Sequence, residues 1–192
     1  MRYILSILFI AAVIAASASL YFPSYWVHRY DELIDRQAHI YRLDERLVWS
    51  LIYEETFFRA WKVGAAGEIG LMQVTPAVAR EWSKGTGLKD LERQAADDVN
   101  TLLVDPERNI QVGCWYLEKL REQYRGSPSE TAMMLAAYNA GPSRVQEWLR
   151  DTDPAALTEG EFISRINITT TRQYVTSILE RYRSREKKPG AA

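Results

Sequence analysis

The chain has 192 residues, 47% of them hydrophobic, which suffices for one domain of ordinary size with a real core and some terminal sequence. A net charge of −1 gives no general pull toward nucleic acid or acidic polymers. The single cysteine, Cys114, cannot form an intramolecular disulfide, and the two histidines, His28 and His39, have no Cys or His companion at ligand spacing, so no metal site is expected.

From Tyr3 to Phe22 no residue is charged. That is about twenty residues, the length of a helix crossing a bilayer core. Arg2 precedes the run and Asp31, Glu32 and Asp35 follow it, a bias that keeps the N-terminus in the cytoplasm and sends the rest across. Residues 1–26 thus read as a signal anchor or a signal peptide. Ala16-Ser17-Ala18 resembles a signal-peptidase site, whereas the length of the run and the aromatic belt of Tyr21, Phe22, Tyr25 and Trp26 favour a retained anchor. No cysteine ends the run, so a lipoprotein anchor is not expected. In either case the domain is expected outside the cytoplasm, anchored to the membrane or, if the signal is cleaved, free.

Residues 27–183 read as helices joined by short loops. Asp44 can cap a helix through Phe58, with Leu47, Val48, Leu51 and Ile52 in phase. Thr75-Pro76 opens a short helix toward Trp82, and Asp105-Pro106 repeats the signal before a helix that aligns Ile110, Cys114, Leu117 and Tyr124. Residues 84–100 are polar and irregular and suggest a loop or lid. Ser127 to Glu130 has the pattern of a capping box, and the following helix should stop at Gly141. The last helix spans Thr171 to Arg183, and 184–192 reads as a disordered tail. No segment alternates over strand length, so the fold class is mainly α with little or no β.

The sharpest question lies at Glu54-Glu55, where two carboxylates end an apolar run. On a helical wheel Glu55 falls within about 20° of the centre of the apolar stripe, and Glu54 about 80° away. A carboxyl group facing the core is desolvated, which raises its pKa and suits it to protonate a leaving group. The competing reading of Glu55 is a glutamate paired with an arginine. Six tryptophans and eleven tyrosines supply rings for a core and equally for a sugar-binding groove.

Glu55-Thr56, Phe58, Gly67, Gly70-Leu71-Met72-Gln73 and Pro76 resemble, in order and spacing, the signature of the soluble lytic transglycosylases, which cleave peptidoglycan. Three further blocks resemble that family: Asn109, Ile110, Gly113, Tyr116 and Leu117; Ala137 to Pro142, Ala-Tyr-Asn-Ala-Gly-Pro; and Thr171, Arg172, Tyr174 and Val175. Together they cover roughly residues 38 to 182.

The resemblance implies a single lysozyme-like domain with a groove for a glycan strand. It puts the catalytic acid on Glu55, a hydroxyl able to orient its carboxyl group on Thr56, and substrate contacts on Thr56, Met72, Gln73, Tyr138 and Asn139. It implies a reaction without metal or organic cofactor, in which one glutamic acid acts first as acid and then as base. The implied partners are a peptidoglycan strand, the membrane through the N-terminal helix, and an envelope or secretion machine, with no nucleic acid. Several positions depart from the family pattern: Thr170 where relatives often carry glutamate, Ser164 and Asn167 for an acid and a proline, Thr75 for an apolar residue, and Glu68 in the glycine loop. Two alternatives stay open. A hydrolase of goose-type lysozyme kind would deliver water with Glu68, Asp97 or Asp98; an idle glycan-binding component would have no need of Glu55.

Overall fold

The computed structural model describes residues 7, 10, 17, 19 and 21–186. Most of the uncharged run and the tail beyond 186 lie outside the described residues, so the anchor and most of the expected disordered tail are not addressed by them. Among the described residues no helix is long and apolar enough to cross a membrane.

Residues 21–28 are helical. Among the described residues ten α-helices follow: α1 (Asp31–Ile40), α2 (Glu45–Thr56), α3 (Pro76–Thr86), α4 (Lys89–Asp97), α5 (Val99–Val104), α6 (Pro106–Gln123), α7 (Glu130–Ala140), α8 (Pro142–Trp148), α9 (Glu159–Arg165) and α10 (Thr169–Glu186). A 3₁₀ turn at Pro154–Ala156 precedes α9. Extended pairing among the described residues is limited to two isolated antiparallel bridges, Val63 with Ile69 and Ile69 with Val74.

The centre of the fold is α7. Its residues Ala132 to Ala137 are buried without interruption, as expected of a helix that is apolar all round. Helices α6, α8, α9 and α10 pack against it, and α10 also runs along α2. Small side chains at Ala132, Ala136 and Ala137 let these neighbours approach closely, while Met133, Met134 and Leu135 fill the gaps between them.

The proline-marked starts are built as the sequence suggests. Thr75 accepts from the Val78 amide at 3.3 Å and Asp105 from the Arg108 amide at 2.8 Å, each followed by proline at the first helical position. Asp44 accepts from the Arg46 amide at 2.9 Å, and its carboxyl group also takes the Tyr182 hydroxyl of α10. Hydrogen bonding to Arg46 is the main reason its pKa lies below the ordinary range.

Four expectations are corrected. Helix α2 ends at Thr56, two residues before Phe58, because Phe57 and Phe58 both take left-handed conformations, with φ of 49° and 61°. Such a backbone is costly for bulky residues; Phe58 offsets it by burying its ring completely, 5.0 Å from that of Trp49. The capping box at Ser127 does not form. Helix α7 starts after Ser129, whose hydroxyl donates instead to the Leu157 carbonyl at 2.6 Å. Residues 84–100 are not a loop: they hold the end of α3, all of α4 and the start of α5. A narrow stripe of Leu91, Ala95 and Val99 packs inward there, and Asp98 caps α5 through the Thr101 amide at 3.1 Å. The last helix begins at Thr169 and continues to Glu186, so the first residues of the expected tail are helical.

Candidate active site

Because α2 stops at Thr56, Glu55 occupies its last turn, and the chain then loops from Phe57 to Thr75 across the helix end. This loop is anchored from α6 by one side chain. Asn109, fully buried, accepts from the Met72 amide at 2.8 Å and donates to the carbonyls of Ile69 and Leu103, each at 2.8 Å. Gly70, at φ of 79°, lies so close that a Cβ would run into the Asn109 amide and the Leu103 carbonyl. Gly113, one turn further along α6, leaves the space that the Met72 side chain fills. The Asn-Ile-x-x-Gly spacing is therefore a seat for the Gly-Leu-Met segment.

The loop closes one side of a cleft of about 440 Å³, lined among others by Glu55, Lys62, Glu68, Gln73, Tyr138 and Asn139. Each group is held by a partner. Gln73, left-handed at φ of 48°, donates through Nε2 to the carbonyls of Lys62 at 3.1 Å and Gly70 at 2.9 Å. The Tyr138 hydroxyl donates to the Met72 carbonyl at 2.7 Å, tying α7 to the loop. Asn139 accepts the Thr171 hydroxyl of α10 at 2.8 Å. From α10 the Tyr174 hydroxyl donates to Glu55 Oε1 at 2.6 Å.

Burial dominates the electrostatics of Glu55 and pushes its pKa from 4.5 up to about 7. The Tyr174 hydrogen bond and the Lys62 ammonium oppose the rise, while the carboxylates of Glu68 and Glu54 add to it. The phenols of Tyr138 and Tyr174 are themselves pushed well above their usual range, chiefly by burial, so both are neutral donors. The arrangement can hold a proton on Glu55 near neutrality and release it without a large cost. Lys62 also donates to the Glu55 main-chain carbonyl, which fastens the loop to the end of α2.

All six residues given site roles from the sequence gather here or next to the cleft, and two of those roles change. Glu55, Gln73, Tyr138 and Asn139 line the cleft. Thr56 is 1% exposed, and its hydroxyl donates to the carbonyls of Leu71 at 3.0 Å and Ile52 at 3.2 Å. It therefore braces the loop and does not orient the Glu55 carboxyl group. Met72 is fully buried against Gly113, so its side chain is not a groove contact. Glu54 is committed elsewhere, accepting from Ser177 at 2.7 Å and Arg181 at 2.9 Å on α10. Asp97 and Asp98 sit where α4 meets α5 and do not line the cleft, whereas Glu68 does. Its carboxyl group lies over Gly64, where a Cβ would collide with it. Reading the sequence missed Tyr174 and Lys62 as site residues; Tyr174 lay within a recognised block, but its contact spans 119 positions and has no local signal.

The family model of the transglycosylase SLT domain matches residues 32–158. The chain is 29% identical over 133 residues to membrane-bound lytic murein transglycosylase C of Actinobacillus succinogenes, covering 67% of this chain and 36% of that protein. It is 27% identical over 150 residues to the soluble lytic murein transglycosylase of Salmonella typhimurium, covering 78% of this chain and 22% of that one. Among solved structures, lytic transglycosylase Slt of Pseudomonas aeruginosa, an inactive glutamate-to-glutamine mutant, superposes with a TM-score of 0.72 at 28% identity, over 86% of this chain and 25% of that one. The 70 kDa soluble lytic transglycosylase in complex with bulgecin A gives 0.69 at 25% identity, over 84% and 25%. The chain thus spans about a third or less of the length of these curated relatives. The mainly α, lysozyme-like fold expected from the sequence is the one found, and the chain belongs to the transglycosylase SLT domain family.

Proposed function

We propose that this protein is a lytic transglycosylase that cleaves the β-1,4 bond between N-acetylmuramic acid and N-acetylglucosamine in peptidoglycan, with Glu55 as acid and then base. The observation that carries the reading is the Glu55 carboxyl group, buried at a cleft wall with a pKa raised to about 7. Protonated, it gives its proton to the glycosidic oxygen as the bond from that oxygen to muramic acid C1 breaks. As a carboxylate it then takes the proton of the same sugar's C6 hydroxyl, whose oxygen bonds to C1. The product ends in 1,6-anhydro-muramic acid, no water is consumed, and Glu55 regains its proton. A group with a pKa near the working pH is suited to both steps, and a nucleophile already attached to the substrate gains effective concentration. Tyr174 steadies the carboxylate form, and Gln73, Tyr138 and Asn139 are placed to contact the sugars around the bond.

One observation favours a second reading, hydrolysis: Glu68 lines the same cleft and could activate water. Digesting purified peptidoglycan in ¹⁸O-labelled water and weighing the muramic acid ends separates the two. Unlabelled anhydro ends support transglycosylation; ¹⁸O-labelled reducing ends refute it, and no cleavage at all points to an idle binding protein. For location, the uncharged run supports a retained anchor that keeps the cleft on the periplasmic side of the inner membrane. N-terminal analysis of the mature chain checks it: a chain starting at Ser19 means a cleaved signal.

A further inference from the structure

Next to the cleft lies a cluster of rings that the chemistry above does not use. Phe22, Phe57 and Trp61 are 56%, 44% and 64% exposed, with Tyr25 and Val63 each at 65% beside them. They are not scattered. Phe22 and Trp26 lie 5.6 Å apart between ring centres, and Trp26 and Trp61 lie 5.8 Å apart. Phe22, Pro23, Trp26 and Phe57 line a shallow hollow of about 390 Å³. An exposed contiguous apolar surface of this kind marks an interaction site.

The ridge joins two distant segments rigidly. Trp26 donates its indole N–H to the Phe57 carbonyl at 3.0 Å. The Arg29 guanidinium stacks 3.4 Å over the Trp26 ring and donates to the Phe58 carbonyl. Phe57 itself holds a left-handed conformation, a costly one for a bulky residue, and its ring meets that of Tyr53 edge-on at 5.0 Å while leaving 44% of the residue exposed.

We propose that this ridge lies in the interfacial layer of a phospholipid bilayer and holds the mouth of the cleft at the membrane surface. Two features name the occupant. The run without a charged residue that begins at Tyr3 extends through Phe22 and Trp26, within the ridge itself, so a surface of lipid would continue from one to the other. The two segments that build the ridge, 21–30 and 57–66, carry Arg29 and the exposed Arg59 and no acidic residue, so no carboxylate within them opposes anionic headgroups. Tryptophan and phenylalanine rings favour that layer. The functional consequence follows from chain order: Lys62, Val63, Gly64 and Ala65, directly after Trp61, line the cleft. A glycan strand bound there would run along the membrane. The consequence for substrate choice rests on the transglycosylase reading, but the placement does not.

The test uses the full chain in nanodiscs of phosphatidylethanolamine and phosphatidylglycerol, with a nitroxide attached to Trp61→Cys, Phe57→Cys or, as a control on α8, Gln146→Cys. Collision rates with oxygen and with a water-soluble nickel chelate report depth. The expected result is that labels at 61 and 57 sit about 5–10 Å into the headgroup and acyl boundary, with nickel collisions reduced at least several-fold relative to the label at 146. Equal nickel access at all three sites overturns the proposal. So does protection of 61 and 57 that appears only with added chito-oligosaccharide, which makes the ridge a sugar subsite, or only with rising protein concentration, which makes it a contact between copies. The double variant Phe57→Ser, Trp61→Ser should keep anhydro-forming activity on soluble glycan fragments in detergent, so failure of the placement leaves the catalytic reading intact.

Discussion

Replacing Glu55 by glutamine should make the protein more stable at pH 8 and inactive at every pH. In the folded state the carboxyl group titrates at about 7, against an ordinary value of 4.5. Between these values the folded protein binds more protons than the unfolded chain, so stability falls as pH rises through the window. Below 4.5 both states are protonated and nothing is lost; above about 7 the buried carboxylate is fully charged. A gap of this size corresponds to about 3 kcal/mol at about 1.4 kcal/mol per pH unit. The glutamine amide keeps the shape and can still accept the Tyr174 hydroxyl through its oxygen, so most of that penalty should be relieved. Urea unfolding of wild type and Glu55→Gln at pH 4.5 and pH 8 measures it. The variant should gain about 2–3 kcal/mol over wild type at pH 8 and far less at pH 4.5. A variant that is less stable than wild type at pH 8, or a difference that does not change with pH, would refute the assignment of Glu55 as a desolvated acid.

Three other outcomes follow from the same geometry. Tyr174→Phe removes the hydrogen bond that favours the carboxylate, so the alkaline limb of kcat/KM should move to higher pH, with kcat down about tenfold or more; an unmoved limb counts against the contact. Glu68→Gln removes a charge that raises the Glu55 pKa, so that limb should move to lower pH while the ends stay anhydro; loss of reducing ends in a mixed product would instead give Glu68 to water. Asn109→Leu leaves the buried Met72 amide and Leu103 carbonyl without partners and takes one of two donors from the Ile69 carbonyl, which keeps the Val74 amide, and a loss of about 3 kcal/mol or more is expected in urea unfolding; a change under 1 kcal/mol would show that the loop does not depend on this seat.

How far the fold could be read from the sequence depended on whether a signal was local. Thr75-Pro76 and Asp105-Pro106 carry their own cap and first-turn residue, and both helices begin there. The buried stripe of α2 shows in its apolar period, which also set Glu55 apart from Glu54. Helix α4 escaped because its inward stripe is only Leu91 and Ala95 before Val99, too sparse to stand out in a polar segment. The capping box failed for the opposite reason. Its pattern was present, but Ser127 stands two residues before the N-cap: its hydroxyl donates to the Pro154 carbonyl at 2.8 Å and accepts the Ser129 amide at 3.1 Å, while the Glu130 carboxyl group takes the Gly126 amide at 2.9 Å.

The four sequence blocks that suggested the family also show why the site needs all of them. Thr56 on α2 donates to Leu71 in the loop; the neighbouring Met72 accepts from Tyr138 on α7; the neighbouring Asn139 accepts from Thr171 on α10; and Tyr174, one turn along α10, returns to Glu55 beside Thr56. This is a closed circuit of hydrogen bonds through four segments, passing within each to the adjacent residue, or in α10 to one a turn along, before crossing to the next segment. The Asn109 block stands under the circuit and fixes the loop from below. A chain of contacts with a free end would let one segment drift without moving the others. Closure means that a shift of any segment stretches bonds at both of its ends, and the element held at the joint is the Glu55 carboxyl group. Sequence order showed the blocks one at a time; their joint purpose, positioning one proton, appears only where the last of them meets the first.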